Sequence, residues 1–180
     1  MEFNKNSHCS YCGAYFLEQT NWPRKCVVCQ NESYINPVPV VVTLLDVWKY
    51  RDRGAGEQAG ILIQKRNINP KKGEWALSGG YVNAFEKWQD AAARELREEI
   101  GLIVDPMSVK LFDTVSNDKN HVLIFNYLEQ PVYMDEIHFS PNNEVSMIDV
   151  VYQPVSLAFP IHTLMMSRYV REIPVKYSNS

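Results

Sequence analysis

The chain has 180 residues, 46% of them apolar and 22% charged, with a formal net charge of −3. Such values fit a soluble globular protein able to bury one substantial core beside a small appendage. They disfavour a broad nucleic-acid-binding surface, and no apolar run reaches the roughly 18 residues of a membrane-crossing helix. The opening stretch MEFNKNSHCS is polar, so no signal peptide is expected and a cytoplasmic location is the default.

All four cysteines lie in the first 30 residues, as Cys9-x-x-Cys12 and Cys26-x-x-Cys29 with 13 residues between the pairs. Each pair suits a small turn offering two thiolates, and two such turns can converge on one tetrahedral Zn²⁺. Two disulfides would require an oxidising compartment, which nothing else in the chain supports. A redox role for one pair would leave the other without a purpose. His8, His121, His138 and His162 read as surface or core histidines rather than ligands. A segment this short has no core of its own size, so the metal stands in for burial. We expect a zinc-binding module over 1–35 and a second domain over 36–180.

Asn36-Pro37-Val38-Pro39 forms a stiff connector. The β-branched run from Val40 to Val47 predicts one buried strand. Tyr50 to Gly60, YRDRGAGEQAG, is polar and glycine-rich, which predicts a mobile hairpin loop with its arginines in solvent. Ile61 to Ile63 returns as a strand, followed by the bases Lys65-Arg66. Trp75-Ala76-Leu77 is strand-like and leads into Gly79-Gly80, where the backbone can approach a ligand closely or offer a carbonyl to a metal.

From Trp88 to Ile100 the good helix formers Ala91, Ala92, Ala93, Arg94, Leu96 and Arg97 predict a helix, with Gly101 as its stop. Ala92, Leu96 and Ile100 recur at a spacing of four and make an apolar stripe. Glu95, Glu98 and Glu99, at i, i+3 and i+4, share an arc beside it. Like charges so placed weaken a helix slightly. They either sit on a solvated face or serve an outside ligand such as Mg²⁺, which takes oxygen donors and keeps several waters.

Lys110 to Val115 and Val122 to Tyr127 read as antiparallel strands around the turn Asn117 to Asn120. A strand follows near Val145 to Tyr152. Pro160 opens a last helix with Ile161, Leu164, Met165 and Tyr169 on its buried face and Pro174 beyond its end. Met165 and Met166 read as core packing. Trp75, Tyr81 and Phe85 are candidates either for stacking on a nucleobase or for packing under the glycine loop, packing being the better reading for Trp75.

The stretch Gly79 to Leu102 carries Gly80, Glu86, Arg94, Glu95, Leu96, Glu98, Glu99, Gly101 and Leu102 in fixed order, and in this it resembles the signature box of the Nudix hydrolases, which cleave nucleoside diphosphates linked to another group. The resemblance implies an α+β fold, the Nudix α/β/α sandwich with a mixed sheet, preceded here by a small zinc ribbon. It implies Mg²⁺ or Mn²⁺ on Glu95, Glu98 and Glu99 with the Gly79 carbonyl as a further ligand. Arg94 and Glu86 would orient the loop and helix, the alternative being an ordinary surface ion pair. Lys65-Arg66 matches the place where the family often carries a base, which makes Arg66, beside Gly80, Tyr81 and Trp75, a candidate for binding the substrate.

The cysteine half resembles the ribbon that precedes the catalytic domain in NADH pyrophosphatases and in a related group acting on FAD or ADP-ribose. With few bases near it, a structural or homodimer-building role is expected. The Ser-Gln-Pro-Trp-Pro-Phe-Pro motif of the NADH enzymes is present only as fragments, Gln153-Pro154 and Ala158-Phe159-Pro160. The order Pro141-Asn142-Asn143-Glu144, strand, Leu157-Ala158-Phe159 is closer to the FAD and ADP-ribose group, although Met147 stands where that group has a second glutamate. Glu98 is the first choice for the general base and Glu144 the second. The expected activity is metal-dependent cleavage of a small nucleotide such as ADP-ribose, FAD or NADH, with release of AMP. A non-catalytic, ligand-sensing module whose ribbon contacts nucleic acid or a protein is the alternative.

Overall fold

A computed structural model of the chain describes residues 5–17, 21–51 and 59–173. They fall into two units, Met1–Pro37 and Val38–Ser180. In the first, β1 (Arg24–Lys25) and β2 (Glu32–Ser33) pair antiparallel. The two cysteine turns repeat one backbone design. Cys9 and Cys26 donate N–H to the carbonyls of Ala14 and Asn31, while their own carbonyls accept from Gly13 and Gln30. Gly13 and Gln30 both have positive φ. The apolar centre of this unit is small, consisting of Cys9, Phe16 and Cys26 with Ala14, Trp22 and Cys29 around them.

The second unit runs β3 (Val38–Leu44), β4 (Asp46–Trp48), β5 (Gly60–Arg66), β6 (Trp75–Ala76), α1 (Trp88–Ile100), β7 (Val109–Ser116), β8 (His121–Leu128), β9 (Val132–Tyr133), β10 (Val145–Val151) and α2 (Pro160–Glu172). One sheet has the order β10-β5-β4-β9 with β6 also on β5, and the other has the order β3-β8-β7. The β3–β8 and β4–β9 pairs are parallel and the remainder antiparallel, so the sheets are mixed. The single strand expected from Val40 to Val47 is in fact two. The run breaks at Leu45, β3 joining one sheet and β4 the other, and the Leu45 carbonyl accepts from Leu62 N at 2.9 Å. Every side chain from Val41 to Leu45 is buried, so the hydrophobic pattern runs across the switch unbroken.

Strand alternation sends neighbours to opposite faces. Leu62 joins a cluster with Val41, Leu45 and Val47 under Ala91, Ala92, Leu96 and Ile100 of α1. Ile61 and Ile63 join Val42, Leu44, Leu123 and Phe125 under Met165, Met166 and Tyr169 of α2. Helix, sheets and helix therefore stack as an α/β/α sandwich with its core split between two faces.

Helix α1 has the predicted bounds. It ends because Gly101, at φ 72°, donates to Arg97 O while Leu102 N returns to Leu96 O, which closes the last turn. A Cβ at Gly101 would also run into the His138 carbonyl. Helix α2 begins at Pro160 as expected, yet its buried face is His162, Met165, Met166 and Tyr169, whereas Leu164 is exposed and Ile161 partly so. The aromatic floor decides this: His162 packs against Phe125 and Phe159, and Tyr169 against Phe112 and Tyr127. Most of the predicted loop, residues 52–58, lies outside the described residues, as does Pro174. Of the loop's arginines Arg51 is described, and it makes a two-pronged pair with Asp135. Among the described residues no helix is long and apolar enough to cross a membrane.

One part-buried acid ties β4 to α2. Tyr169 Oη donates to Asp46 Oδ2 at 2.5 Å, and burial pushes the Asp46 carboxyl from 3.8 up to about 6 despite that bond. The folded pKa is raised, so the stabilisation is complete below the unfolded value and is lost as pH rises through about 6. Such a shift corresponds to about 3 kcal/mol at most. Asp46→Asn keeps an acceptor for Tyr169 without the charge. Denaturant unfolding should find it about 1–3 kcal/mol more stable than wild type at pH 8, with no gain at pH 4.

Candidate active site and cysteine cluster

The site is assembled where the segment from Ser78 to Glu86 lies between β3 and α1. Val41 N donates to Gly80 O at 2.9 Å and Thr43 N to Ser78 O at 2.8 Å, which laces the glycine turn to β3. Gly79 sits at φ 150° so close to that strand that a Cβ would strike the Val41 carbonyl, and a Cβ at Gly80 would land on the Glu95 carboxylate. Gly79 therefore demands the smallest residue for contact and for conformation, and Gly80 for contact with Glu95 alone.

Arg94 is the hub. Its Nε and Nη2 grip both oxygens of Glu86 at 2.8 and 3.0 Å, Nη2 also donates to Tyr81 O at 2.8 Å, and Nη1 donates to Glu95 at 2.6 Å and Glu98 at 3.2 Å. All five N–H groups are engaged. Glu86 in turn accepts from Asn83 N at 2.8 Å, and the guanidinium holds its carboxyl below the usual range. The pair is largely enclosed, with side chains 20% and 16% exposed, so it is a structural strut rather than the surface ion pair that remained open from sequence. Removing the arginine strands three carboxylates. Arg94→Ala should lose about 2–3 kcal/mol in thermal or denaturant unfolding. Arg94→Lys, a point charge with three donors, should recover less than half of that.

The three box carboxylates do not stand alike. Glu95 and Glu99 are buried, at 8% and 5% exposure, while the Glu98 side chain is 53% exposed. Glu99 Oε1 accepts from Gln64 Nε2 at 2.6 Å, and its Oε2 accepts from Gly79 N at 2.8 Å and from Ser78 Oγ. Burial pushes its pKa up to about 7 in spite of these donors. Burial also raises Glu95, Arg94 counteracts, and the charges of Glu98 and Glu144 push it up further. Glu144 is exposed, and its loop is tied to the end of α1. Asn142 Nδ2 donates to the Glu99 and Glu98 carbonyls at 3.1 and 3.4 Å, and Asn142 Oδ1 accepts from Glu144 N and Val145 N. Asn67 binds the same loop from the end of β5.

Of the carboxylates Glu86, Glu95, Glu98, Glu99 and Glu144, the first three thus share one guanidinium and the other two have no ion pair to it, and the buried ones are costly to ionise. A divalent cation with a taste for oxygen fits that imbalance. Among the described residues only the four cysteines bring three or more candidate ligand atoms within 4.8 Å of one another. Glu95 and Glu98 are turned onto Arg94, and Glu99 is turned inward.

Of the other predicted site residues, Tyr81 is exposed with its ring 5.9 Å from that of His121. Phe85 is fully exposed at φ 66°. Arg66 donates from Nε to Pro70 O at 2.8 Å and lies 5.3 Å from the Phe159 ring. Trp75 packs against the α2 cluster, and its carbonyl accepts from Ala158 N at 2.7 Å. Reading by spacing does not single out Gln64, Ser78 or Asn142 as site residues. For Gln64 one signal existed: it stands two residues from Leu62 in β5, on the face turned to α1, where a polar side chain needs a partner.

In the first unit the thiols Cys9–Cys29 and Cys12–Cys26 stand 3.6 Å apart, and all four are free. A disulfide would need about 2.05 Å, whereas four thiolates at about 2.3 Å from one Zn²⁺ lie about 3.8 Å apart. Backbone N–H groups of Cys12 and Tyr11 pointing at Cys9 pull its thiol down to about 6.

The family model for the NUDIX domain matches residues 45–163. An ADP-ribose pyrophosphatase of Methanocaldococcus jannaschii is 51% identical over 43 residues, 24% of this chain and 25% of that protein. An NAD-capped RNA hydrolase, NudC of Edwardsiella ictaluri, is 30% identical over 103 residues, 57% of this chain and 36% of that one. The match thus spans a quarter of the first relative and little more than a third of the second. Among solved structures, a NUDIX hydrolase from Nitrosomonas europaea superposes with a TM-score of 0.61 at 23% identity, covering 92% of this chain and 91% of its own. The NUDIX domain of Shewanella oneidensis NrtR, solved with ADP ribose, gives 0.61 at 17% identity over 78% of this chain and 90% of that one. With the matched region reaching from the end of β3 into α2, and the signature glutamates lining the turn that β3 holds in place, the chain belongs to the Nudix family.

Proposed function

We propose that this chain is a metal-dependent pyrophosphohydrolase that cleaves the diphosphate of ADP-ribose or a related AMP-containing dinucleotide and releases AMP. The observation that carries the reading is the site's charge balance, five carboxylates about one guanidinium whose donors are already engaged. The names of the Methanocaldococcus jannaschii relative and of the Shewanella oneidensis complex favour ADP-ribose.

Bound Mg²⁺ or Mn²⁺, held by Glu95, Glu98, Glu99 and the Gly79 carbonyl, would neutralise the diphosphate and lower the pKa of the attacking water. The chain's own groups divide the remaining tasks. Glu98, half exposed and facing solvent, takes the water's proton, and Glu144 on its tethered loop is the second candidate. As the water oxygen bonds to one phosphorus, the P–O bond to the bridging oxygen breaks and the other phosphate leaves with that oxygen. Arg94 cannot also grip the substrate, so its role is to hold Glu86, Glu95, Glu98 and the Tyr81 carbonyl in place. Arg66 keeps its terminal N–H groups for a phosphate. Gly80 lets the diphosphate approach the backbone, and Tyr81 offers a ring face to the base.

In the first unit the reading is a structural Zn²⁺ on Cys9, Cys12, Cys26 and Cys29. Four reduced thiols favour a reducing compartment, in keeping with a cytoplasmic location.

The test is AMP release by the zinc-loaded protein with Mg²⁺ or Mn²⁺ against equal concentrations of ADP-ribose, FAD, NADH, diadenosine polyphosphates and nucleoside triphosphates. AMP from ADP-ribose at a kcat/KM at least tenfold above the others is the expected result. Binding of ADP-ribose without cleavage would replace catalysis by a ligand-sensing role.

A further inference from the structure

We infer that Ser78 and Gln64 are positioning residues that fix Glu99 in a single orientation, so that it can offer one oxygen, Oε1, in one direction. The inference rests on the proposed role of Glu99 in holding the divalent metal. An ionised carboxylate has about four lone-pair positions, two on each oxygen. Both positions on Oε2 are filled, one by Gly79 N at 2.8 Å and the other by Ser78 Oγ. One position on Oε1 is filled by Gln64 Nε2 at 2.6 Å. A single position remains. The donors come from three separate places, β5, the residue before the glycine turn and the turn's own backbone, so the carboxylate is held from both ends.

The clamp has a visible cost. Gln64 is 2% exposed, and its Oε1 is buried with no hydrogen-bond partner. Turning the amide over would rescue nothing, since the carbonyl oxygen would then face a carboxylate. The chain therefore leaves one buried acceptor unsatisfied in order to aim a donor at Glu99. Ser78 is equally enclosed, at 1% exposure, and its carbonyl is pinned to Thr43 N. Neither side chain has the exposure to touch a substrate. Their effect on the reaction must pass through Glu99.

Partners that orient a metal's ligands typically contribute 10- to 100-fold in metal affinity. The experiment uses the full chain and Mn²⁺ alone, its affinity read by electron paramagnetic resonance, with thermal melting and steady-state kinetics beside it. Ser78→Ala and Gln64→Met should each weaken Mn²⁺ binding at least tenfold and lower kcat with little change in KM. Ser78→Thr, which restores the hydroxyl, should recover most of the Mn²⁺ affinity. Affinities within twofold of wild type in both Ser78→Ala and Gln64→Met would overturn the inference, as would Ser78→Thr binding Mn²⁺ no better than Ser78→Ala. If one variant fails to fold, the other decides. A wild-type chain that cleaves nucleotides but binds no Mn²⁺ would overturn the metal reading itself, and the clamp with it, whereas normal Mn²⁺ binding in both variants overturns the clamp alone.

Discussion

Glu98→Gln should lower turnover by about 10²- to 10⁴-fold, the usual contribution of a positioned general base, while KM for the nucleotide and the melting temperature stay close to wild type. The reason lies in how differently the three box glutamates are held. Glu98 has the exposed side chain, and its one ion pair, to Arg94 at 3.2 Å, is the longest of that arginine's contacts. An exposed i,i+4 pair contributes little to stability. Glutamine keeps the shape and loses the proton acceptor. Glu99→Gln should abolish activity as well, but less cleanly, because a glutamine there turns an amide N–H₂ toward a donor on one side or the other of its clamp. Glu144→Gln completes the comparison. If Glu98→Gln keeps more than a tenth of wild-type turnover while Glu144→Gln falls by two or more orders of magnitude, the loop carboxylate is the base.

Removing the zinc proposed for the cysteine cluster should unfold Met1–Pro37 while Val38–Ser180 keeps its melting transition. Two of the three buried residues at the centre of that unit are Cys9 and Cys26 themselves, and its sheet is a pair of two-residue strands. Such a centre buries far too little apolar surface to offset the ordering of the 30 residues described there. Zn²⁺ binding to four-ligand modules supplies about 10–16 kcal/mol, which is the scale required. Cys26→Ser, or chelation of the wild type, should release one zinc per chain and open residues 1–37 to proteolysis, with Trp22 fluorescence shifting to that of a solvated indole. Retention of protease resistance after stoichiometric zinc release would show that packing alone holds the unit.

Helix α1 was legible almost to the residue because everything that defines it is local: formers through its length, an apolar stripe at a spacing of four, and a glycine where the backbone turns left-handed. The break at Leu45 was not legible. A strand that leaves one sheet for another keeps its apolar side chains buried throughout, and the sequence Val-Val-Val-Thr-Leu-Leu-Asp-Val carries no glycine or proline to mark the place, its one polar acid Asp46 opening β4. The start of α2 was visible in Pro160, yet its buried face was not, since three of the four ring contacts of His162 and Tyr169 come from β7 and β8. The same division runs through the site. Glu95, Glu98, Glu99 and Arg94 lie within one helix and can be read by counting. Gln64, Ser78 and Asn142 are neutral side chains from three other segments, brought to the glutamates by strand register that only the fold supplies.

The lacing of the glycine turn to β3 has a consequence for motion. Val41 N, Thr43 N and Val82 N are bonded to Gly80, Ser78 and Pro39 carbonyls, so the glycine turn is held as an extra rung on the free edge of β3, the outer strand of the β3-β8-β7 sheet. In hydrogen exchange these three amides should be among the slowest in Val38–Ser180, exchanging through global opening of that unit rather than local opening. The turn, on the proposed reading a face toward the diphosphate, is then a fixed wall. Any closing over a substrate has to come from the opposite side, where the Glu144 loop is held by the amides of Asn142 and Asn67.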